Sequence, residues 1–375
     1  MTKFIHTSDW QLGMTRRFLG DGAHELYDQA RFDAIRAIGG LAEAERCDFV
    51  VVAGDVFESN RIGRKTLLRA LEALRQVPVP VYLLPGNHDP LAEGSVYRSR
   101  RFADNKPDNV TVLADPAPLT VSTGVEVTGA PWRSKRPARN PVLDLLDALE
   151  PAGGALRVCV AHGGVLGPFN PGDECAIPVD ALEQAVRDGK IHYVALGDRH
   201  SGEQLDSAGR VWYSGTPEVV AFNEVNPGFV NVVDLDHDRA AVRRERIGAW
   251  RFEEIELRNL LGGDDLAGFF AQLSAHPSKD TTAVRLKLSG TLGVEDMEAL
   301  GRRIEDFRDL FASFEVEEDI RLNFGDRPDA DENLGGFGAA AAAELRDRIA
   351  AGGVDAPAAQ DALLLLFRLA REEAR

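Results

Sequence analysis

Three observations predict an α/β fold. Over the first 250 residues, short β-branched apolar runs alternate with stretches of helical period. Acidic and imidazole residues recur just past the ends of those runs. Hydrophobic residues make up 44% of the chain and charged residues 27%, an ordinary globular balance that excludes whole-chain disorder. The strand candidates are Lys3–Thr7, Asp48–Ala53, Val79–Leu84, Val110–Leu113, Val125–Thr128, Arg157–Ala161, His192–Leu196, Val211–Tyr213 and Phe229–Leu235. A helix is predicted from about His24 to Arg46, because Phe32, Ile35, Ile38 and Ala42 recur on one face. A second covers Lys65–Arg75.

Around Trp250 the pattern restarts on a smaller scale. Phe252–Leu257, Ala283–Leu288 and Ala312–Val316 read as strands, while Asp265–Ala275 and Val294–Leu310 read as helices. Residues 1–249 are thus expected to form one domain and 250–324 a small α/β second. The segment Gly325–Gly338 is acidic and rich in glycine, the composition of a linker. Two helices should follow it, Ala339–Ala350 and Pro357–Arg371, the second opening on a proline whose missing N–H costs nothing in a first turn. Its Leu363, Leu366, Phe367 and Ala370 share one face, and Leu364, Leu365 and Leu369 widen it. Such a surface either folds back on its own domain or docks on a partner.

At 375 residues the chain is long enough for two or three units. Three cysteines with no CxxC pair suit a reducing compartment and offer no thiolate zinc site. No apolar run approaches the roughly 20 residues of a membrane span, and the start of the chain has no signal-peptide core. A cytoplasmic protein without a membrane partner is expected. The net charge of −17 opposes indiscriminate polyanion binding. That charge is uneven: residues 1–110 carry 15 basic and 15 acidic side chains, whereas residues 251–375 carry 15 and 26.

The chemistry gathers at strand ends, where open α/β sheets bind ligands. Asp9, Asp55, Asn87 with His88, His162, and Asp198 with His200 each follow a predicted strand. Singly, Asp9 reads more readily as a cap, Asp55 as a turn residue and His162 as a core histidine. Five such clusters at successive strand ends suggest metal. Carboxylate, amide oxygen and imidazole without thiolate suit Mn²⁺, Mg²⁺ or Fe²⁺. A carboxylate such as Asp55 can bridge two ions about 3.5–4 Å apart, as phosphoryl-transfer sites require.

The strings His6-Thr7-Ser8-Asp9-Trp10-Gln11-Leu12-Gly13, Gly54-Asp55, Gly86-Asn87-His88-Asp89, Ala161-His162-Gly163 and Gly197-Asp198-Arg199-His200 resemble, in order, the calcineurin-like metallophosphoesterase pattern. Within that family, the opening HTSDW and the layout resemble the nuclease subunits of the bacterial SbcCD complex and its archaeal and eukaryotic relatives. The resemblance implies a four-layer α/β/β/α sandwich with a capping domain and C-terminal helices. It implies one metal on Asp9, Gln11, Asp55 and His200 and a second on Asp55, Asn87, His162 and Asp198, most simply Mn²⁺. His88 is then the catalytic imidazole, and Asp89 either orients it or caps the turn before Pro90.

Two positions depart from the family pattern. Asp198 stands where the family has histidine, an exchange that favours hard cations. Gln11 also replaces histidine, and its neutral amide oxygen is a weaker donor, so the first position is either working or weakened.

For substrate, Arg133, Lys135, Arg136 and Arg139 form a basic stretch after Val125–Thr128. Arg61, Arg64, Lys65 and Arg69 follow the Asp55 strand, and Arg98, Arg100 and Arg101 follow the GNHD loop. These read either as a rim that tracks a DNA backbone or as solvated loop arginines. The expected function is a metal-dependent DNA phosphodiester hydrolase, an exonuclease acting with an SMC-like ATPase subunit gripped by the C-terminal helices. The rivals are a phosphoesterase on a non-DNA substrate and a catalytically weakened scaffold subunit. A homodimer follows from the resemblance alone.

Overall fold

The computed structural model describes residues 1–167, 175–323 and 335–373. The chain divides into two compact units, Met1–Phe252 with Thr281–Ala283, and Glu253–Asp280 with Val284–Arg375. In the first unit, β1 (Thr2–Thr7), β2 (Phe49–Val52), β3 (Val81–Leu83) and β4 (Val110–Val112) belong to one sheet. A second contains β5 (Leu119–Ser122), β6 (Val125–Gly129), β7 (Leu156–His162), β8 (Tyr193–Gly197), β9 (Glu203–Gln204) and β10 (Val211–Tyr213). The chain then returns to the first sheet as β11 (Phe229–Leu235) and β12 (Ala240–Arg246). The strand orders are β12-β11-β1-β2-β3-β4 and β5-β6-β7-β8-β10-β9.

Strand periodicity explains the layering. Successive side chains point to opposite faces of a sheet. Phe4 and Phe49, paired across β1 and β2, stack at 5.0 Å and join Val158, Val160 and Tyr193 between the two sheets. Their neighbours Ile5 and Val50 face the other way, onto α1 (Asp21–Ala44) and α2 (Arg64–Arg75). On the far side, Cys159, Ala161, Val194 and Leu196 pack with Leu145 and Leu182, which come from the helices Pro141–Ala148 and Val179–Arg187. The order is therefore helices, sheet, sheet, helices, the four-layer α/β/β/α sandwich. A polar pin crosses the middle layer: buried His6 bonds the Tyr193 hydroxyl and the Leu196 carbonyl, each at 3.1 Å.

The second unit is built on a three-stranded sheet, β13 (Arg251–Leu260), β14 (Thr282–Gly293) and β15 (Ser313–Asn323), with helices Gly263–Ser274 and Val294–Leu310. Its core holds Leu286, Leu300, Ile304, Phe307 and Phe314. Two more helices, Gly335–Ala351 and Ala356–Glu373, pack on each other through Ala342 and Leu363, and Gln360 donates to the Ile320 carbonyl at 3.1 Å. Leu365 and Leu369 are 55% and 51% exposed, so only part of the apolar face is covered. The side chains of Leu364, Phe367 and Ala370, and residues 325–334 of the expected linker, lie outside the described residues.

The expected linker is too long at its end. Gly335–Gly338 is helical, since the alanine run that follows propagates one more turn over the roughly 1 kcal/mol cost of each glycine. Strands β5, β9 and β12 and the helices at Arg100–Asn105, Pro141–Ala148 and Val179–Arg187 have no counterpart among the elements expected from the sequence. Strand β12 (AAVRRER) has little apolar alternation and is held by its antiparallel pairing with β11. The helix at Pro141 did carry a signal: Asn140 caps it by accepting from Val142 N, with proline in the first turn. No helix among the described residues is long and apolar enough to cross a membrane.

The two sheets approach closely where Gly197 meets Ala53. A Cβ on Gly197 would lie 1.9 Å from the Ala53 carbonyl oxygen. Gly197→Ala should therefore destabilise the fold by about 2–3 kcal/mol or more, read as a lower urea midpoint at unchanged slope. A second expectation concerns pH. Burial, helped by His237, Arg210 and Arg157, lowers the His192 pKa to about 4. Between pH 6.5 and 4 the unfolded chain takes a proton that the folded chain refuses, so stability falls as pH falls through that window. His192→Asn keeps an acceptor for Arg157 N, which bonds His192 Nδ1 at 3.1 Å. It should remove roughly 1 kcal/mol per pH unit from that slope, after allowance for partial exposure, in urea titrations at pH 6.5 and 4.5.

Candidate metal centre

Strands β1, β2 and β3 run parallel, so their carboxyl ends share one edge. Asp9 and Gln11 follow β1, Asp55 follows β2, and Asn87 and His88 follow β3. In the second sheet His162 ends β7, opposite Gly197, and Asp198 follows β8. The tails remain tied beyond the strands: Asp9 N donates to Gly54 O at 3.1 Å and Gln11 N to Asp55 O at 2.9 Å. Glycine makes room for the side chains. Gly54 has φ +91°, and a Cβ there would lie 2.1 Å from His162 Nδ1; one on Gly86 would lie 2.2 Å from Asp55 Oδ1. Of the seven non-glycine residues with positive φ among those described, Asp9, Gln11, Asp55 and Asp198 are four. Backbone strain of this kind collects at functional sites.

The side chains converge. Asp9, Asp55 and His162, all buried, each bring one donor atom within 4.8 Å of the others. His162 Nε2 is 3.4 Å from Asp55 Oδ1 and 3.7 Å from Asp198 Oδ1. Asn87 Nδ2 reaches Asp198 Oδ1 at 3.4 Å, and the Asp198 N–H donates to the Asp9 carboxylate at 3.1 Å. Gln11 Nε2 is 3.0 Å from His200 Nε2. All seven sequence-predicted ligands are therefore linked into one cluster. Three of their buried atoms have no hydrogen-bond partner: Gln11 Oε1, Asn87 Oδ1 and His162 Nε2.

Electrostatics follow from burial and crowding. Burial pushes the Asp9 carboxyl up to about 6, against the pull of His162 and His200. Asp55 lies below its ordinary value, because His162 and the His88 N–H outweigh its burial. Asp198 is raised by burial. Burial should lower His162, yet Asp55, Asp9 and Asp198 hold it well above its ordinary value. Three carboxylates crowded into a buried site in this way favour a cation.

His88 stands at the rim, its side chain 40% exposed and its Nε2 4.0 Å from Asp55 Oδ2. Its Nδ1 meets the Glu58 carbonyl at 3.1 Å. Asp89 does not orient this ring. Its carboxylate is taken by Gly86 N, Phe57 N and the Tyr97 hydroxyl, at 2.8, 3.0 and 2.6 Å, which ties the GNHD loop to the Asp55 loop. Of the two readings, the turn-holding one describes its contacts. A buried carboxylate missing from the sequence reading also appears: Glu224 accepts from His200 Nδ1 at 2.7 Å. It lies 24 residues further on, in a loop with no motif of its own.

The basic stretch adjoins this cluster. Trp132 Nε1 and Asn140 Nδ2 both donate to the His162 carbonyl, at 2.8 and 3.3 Å, so the loop between them is pinned at each end on a candidate ligand. Lys135 and Arg136 are exposed and carry no ion pair among the described residues, and the same holds for Arg61. Arg133 bonds the Ala114 carbonyl, whereas Arg139 is engaged by Asp144 and Asp147 at 2.7 and 2.8 Å. Arg69 pairs with Asp28 and Arg100 with Asp104.

Among known proteins, the chain is 24% identical over 357 residues to the DNA double-strand break repair protein Mre11 of Halobacterium salinarum, covering 88% of this chain and 84% of that protein. It is 27% identical over 133 residues to the SbcD component of the SbcCD nuclease of Bacillus subtilis, 34% of this chain and 28% of that one. Over 334 residues it is 22% identical to the uncharacterized metallophosphoesterase YhaO of Bacillus subtilis, covering 84% and 78%. Residues 2–202, which carry every candidate ligand, match the family model described as calcineurin-like phosphoesterase. With that match laid over the cluster at the strand ends, the chain belongs to the calcineurin-like phosphoesterase family.

Proposed function

We propose that this protein is a two-metal phosphodiesterase that hydrolyses DNA, as an exonuclease working with an SMC-like ATPase subunit. The observation that carries the metal assignment is the set of three unpartnered buried atoms, Gln11 Oε1, Asn87 Oδ1 and His162 Nε2, among three carboxylates. An unsatisfied buried polar atom costs about 1–3 kcal/mol. A pair of cations would satisfy all three and the negative charge together. The donors fit: Asp9, Gln11, Asp55 and His200 would hold one ion and Asp55, Asn87, His162 and Asp198 the other, with Asp55 shared. Oxygen and imidazole donors without thiolate favour Mn²⁺, with Mg²⁺ or Fe²⁺ as chemical alternatives.

When bound, such ions supply Lewis acidity toward the attacking water and the phosphoryl oxygens. The chain does the rest. His88 donates Nδ1–H to the Glu58 carbonyl, and in its imidazolium form the Nε2–H, on a side chain 40% exposed, would pass to the departing oxygen and leave the neutral ring. Asp89 acts on its loop, holding the segment that carries Asn87 and His88. DNA as substrate is supported by the names of relatives that align along most of the chain and by Lys135, Arg136 and Arg61, free to meet phosphates. The partly exposed Leu365 and Leu369 support a helical partner surface. The net charge of −17 and the neutralised Arg139 favour a second reading, a phosphoesterase on a small or non-DNA substrate.

With Mn²⁺, the purified chain should degrade end-labelled duplex or single-stranded DNA, and His88→Ala should slow it by about 100-fold or more while still binding Mn²⁺. Equal rates in the two preparations would remove His88 from the chemistry. Cleavage of a small phosphodiester but of neither DNA would establish the second reading. Lys135→Ala with Arg136→Ala should weaken DNA binding uniformly across sequences and lower the salt slope by about 2. An unchanged slope in a fluorescence-anisotropy salt series would place the DNA path elsewhere.

A further inference from the structure

Glu224 and Gln11 flank one imidazole from opposite sides. Glu224 Oε1 accepts from His200 Nδ1 at 2.7 Å, and its Oε2 accepts from Val220 N at 2.9 Å. With its side chain only 4% exposed, this carboxylate is fixed and has few alternatives. An ionised carboxylate is an acceptor only, so the ring proton belongs on Nδ1 and Nε2 presents a lone pair. That lone pair meets Gln11 Nε2 at 3.0 Å, and an amide nitrogen can only donate to it. The main chain of Gln11 has no freedom to withdraw: its N–H is bonded to Asp55 O at 2.9 Å and its carbonyl to Arg31 Nη1 at 2.6 Å. Only the side chain can turn away. His162 differs, since its Nδ1 is bound to the Ala53 carbonyl at 2.8 Å while its Nε2 faces only carboxylates, Asp55 at 3.4 Å and Asp198 at 3.7 Å, with no amide over it.

Resting on the two-metal reading, we infer that Glu224 is a positioning residue that sets the His200 tautomer and that Gln11 covers the ring nitrogen so exposed. The two ions then bind unequally. The position at His162 needs only the loss of a ring proton, whereas the position at His200 fills only when the Gln11 amide turns and offers Oε1 in place of its N–H. Carboxylate partners behind a ligating histidine typically contribute 10–100-fold in metal affinity.

Titration of the metal-free full chain with Mn²⁺, followed by the electron paramagnetic resonance of the free ion, tests this. The wild type should show one tight equivalent and a second at least about tenfold weaker. Gln11→His should narrow the gap, and Glu224→Ala should weaken the second equivalent a further 10–100-fold or so without moving the first. Glu224→Gln, whose amide oxygen still accepts from Nδ1, should restore most of the loss. Long-range proton–nitrogen spectra of the metal-free chain should show His200 protonated on Nδ1 in the wild type and in Glu224→Gln, and a mixture in Glu224→Ala. Two equal equivalents in the wild type, or a His200 protonated on Nε2 alone, would overturn the inference and leave the metal reading standing. No bound Mn²⁺ at all would overturn the metal reading, and this inference with it.

Discussion

The hydrogen bond from His162 Nδ1 to the Ala53 carbonyl joins the two central sheets at the edge where the site lies. It crosses from the end of β7 to the residue just past β2, and it is possible only because Gly54 and Gly197 bring the two backbones so near. One bond thereby settles three things. It sets the spacing of the sheets at their carboxyl ends, it keeps a proton on Nδ1 of His162, and it aims Nε2 at Asp55 and Asp198. With His6 pinning the same sheets deeper in, the cluster is held by the middle layer of the fold and not by loops alone.

Much of this was legible in the residues themselves. The alternation of Phe4 with Ile5 and of Phe49 with Val50 separates the sheet-to-sheet face from the sheet-to-helix face, as the strand period demands. The strand-end positions of Asp9, Asp55, Asn87, His162 and Asp198 follow once those strands are placed. Short or polar elements gave no such pattern: β9 has two residues, and β12 is rich in arginine and glutamate. The helix at Val179–Arg187 is likewise brief.

Within the site, the sequence pattern named the candidate ligands but not the groups behind them. Glu224 reaches His200 through a tertiary contact that no local spacing encodes, and Tyr97 meets Asp89 for the same reason. Asp89 shows the opposite failure. Its neighbour in the motif invited a link to His88, whereas burial drives its carboxylate toward three backbone and hydroxyl donors. Adjacency in sequence counts for little where a carboxylate must be satisfied away from water.

The loop between Trp132 and Asn140 has a further meaning. Both anchors are buried and both hold the same carbonyl, so the residues between them can lengthen, shorten or change sign while the ring of His162 stays where it is. The length and charge of that loop can therefore drift under selection without moving the candidate ligands, an evolutionary decoupling built from two side-chain donors.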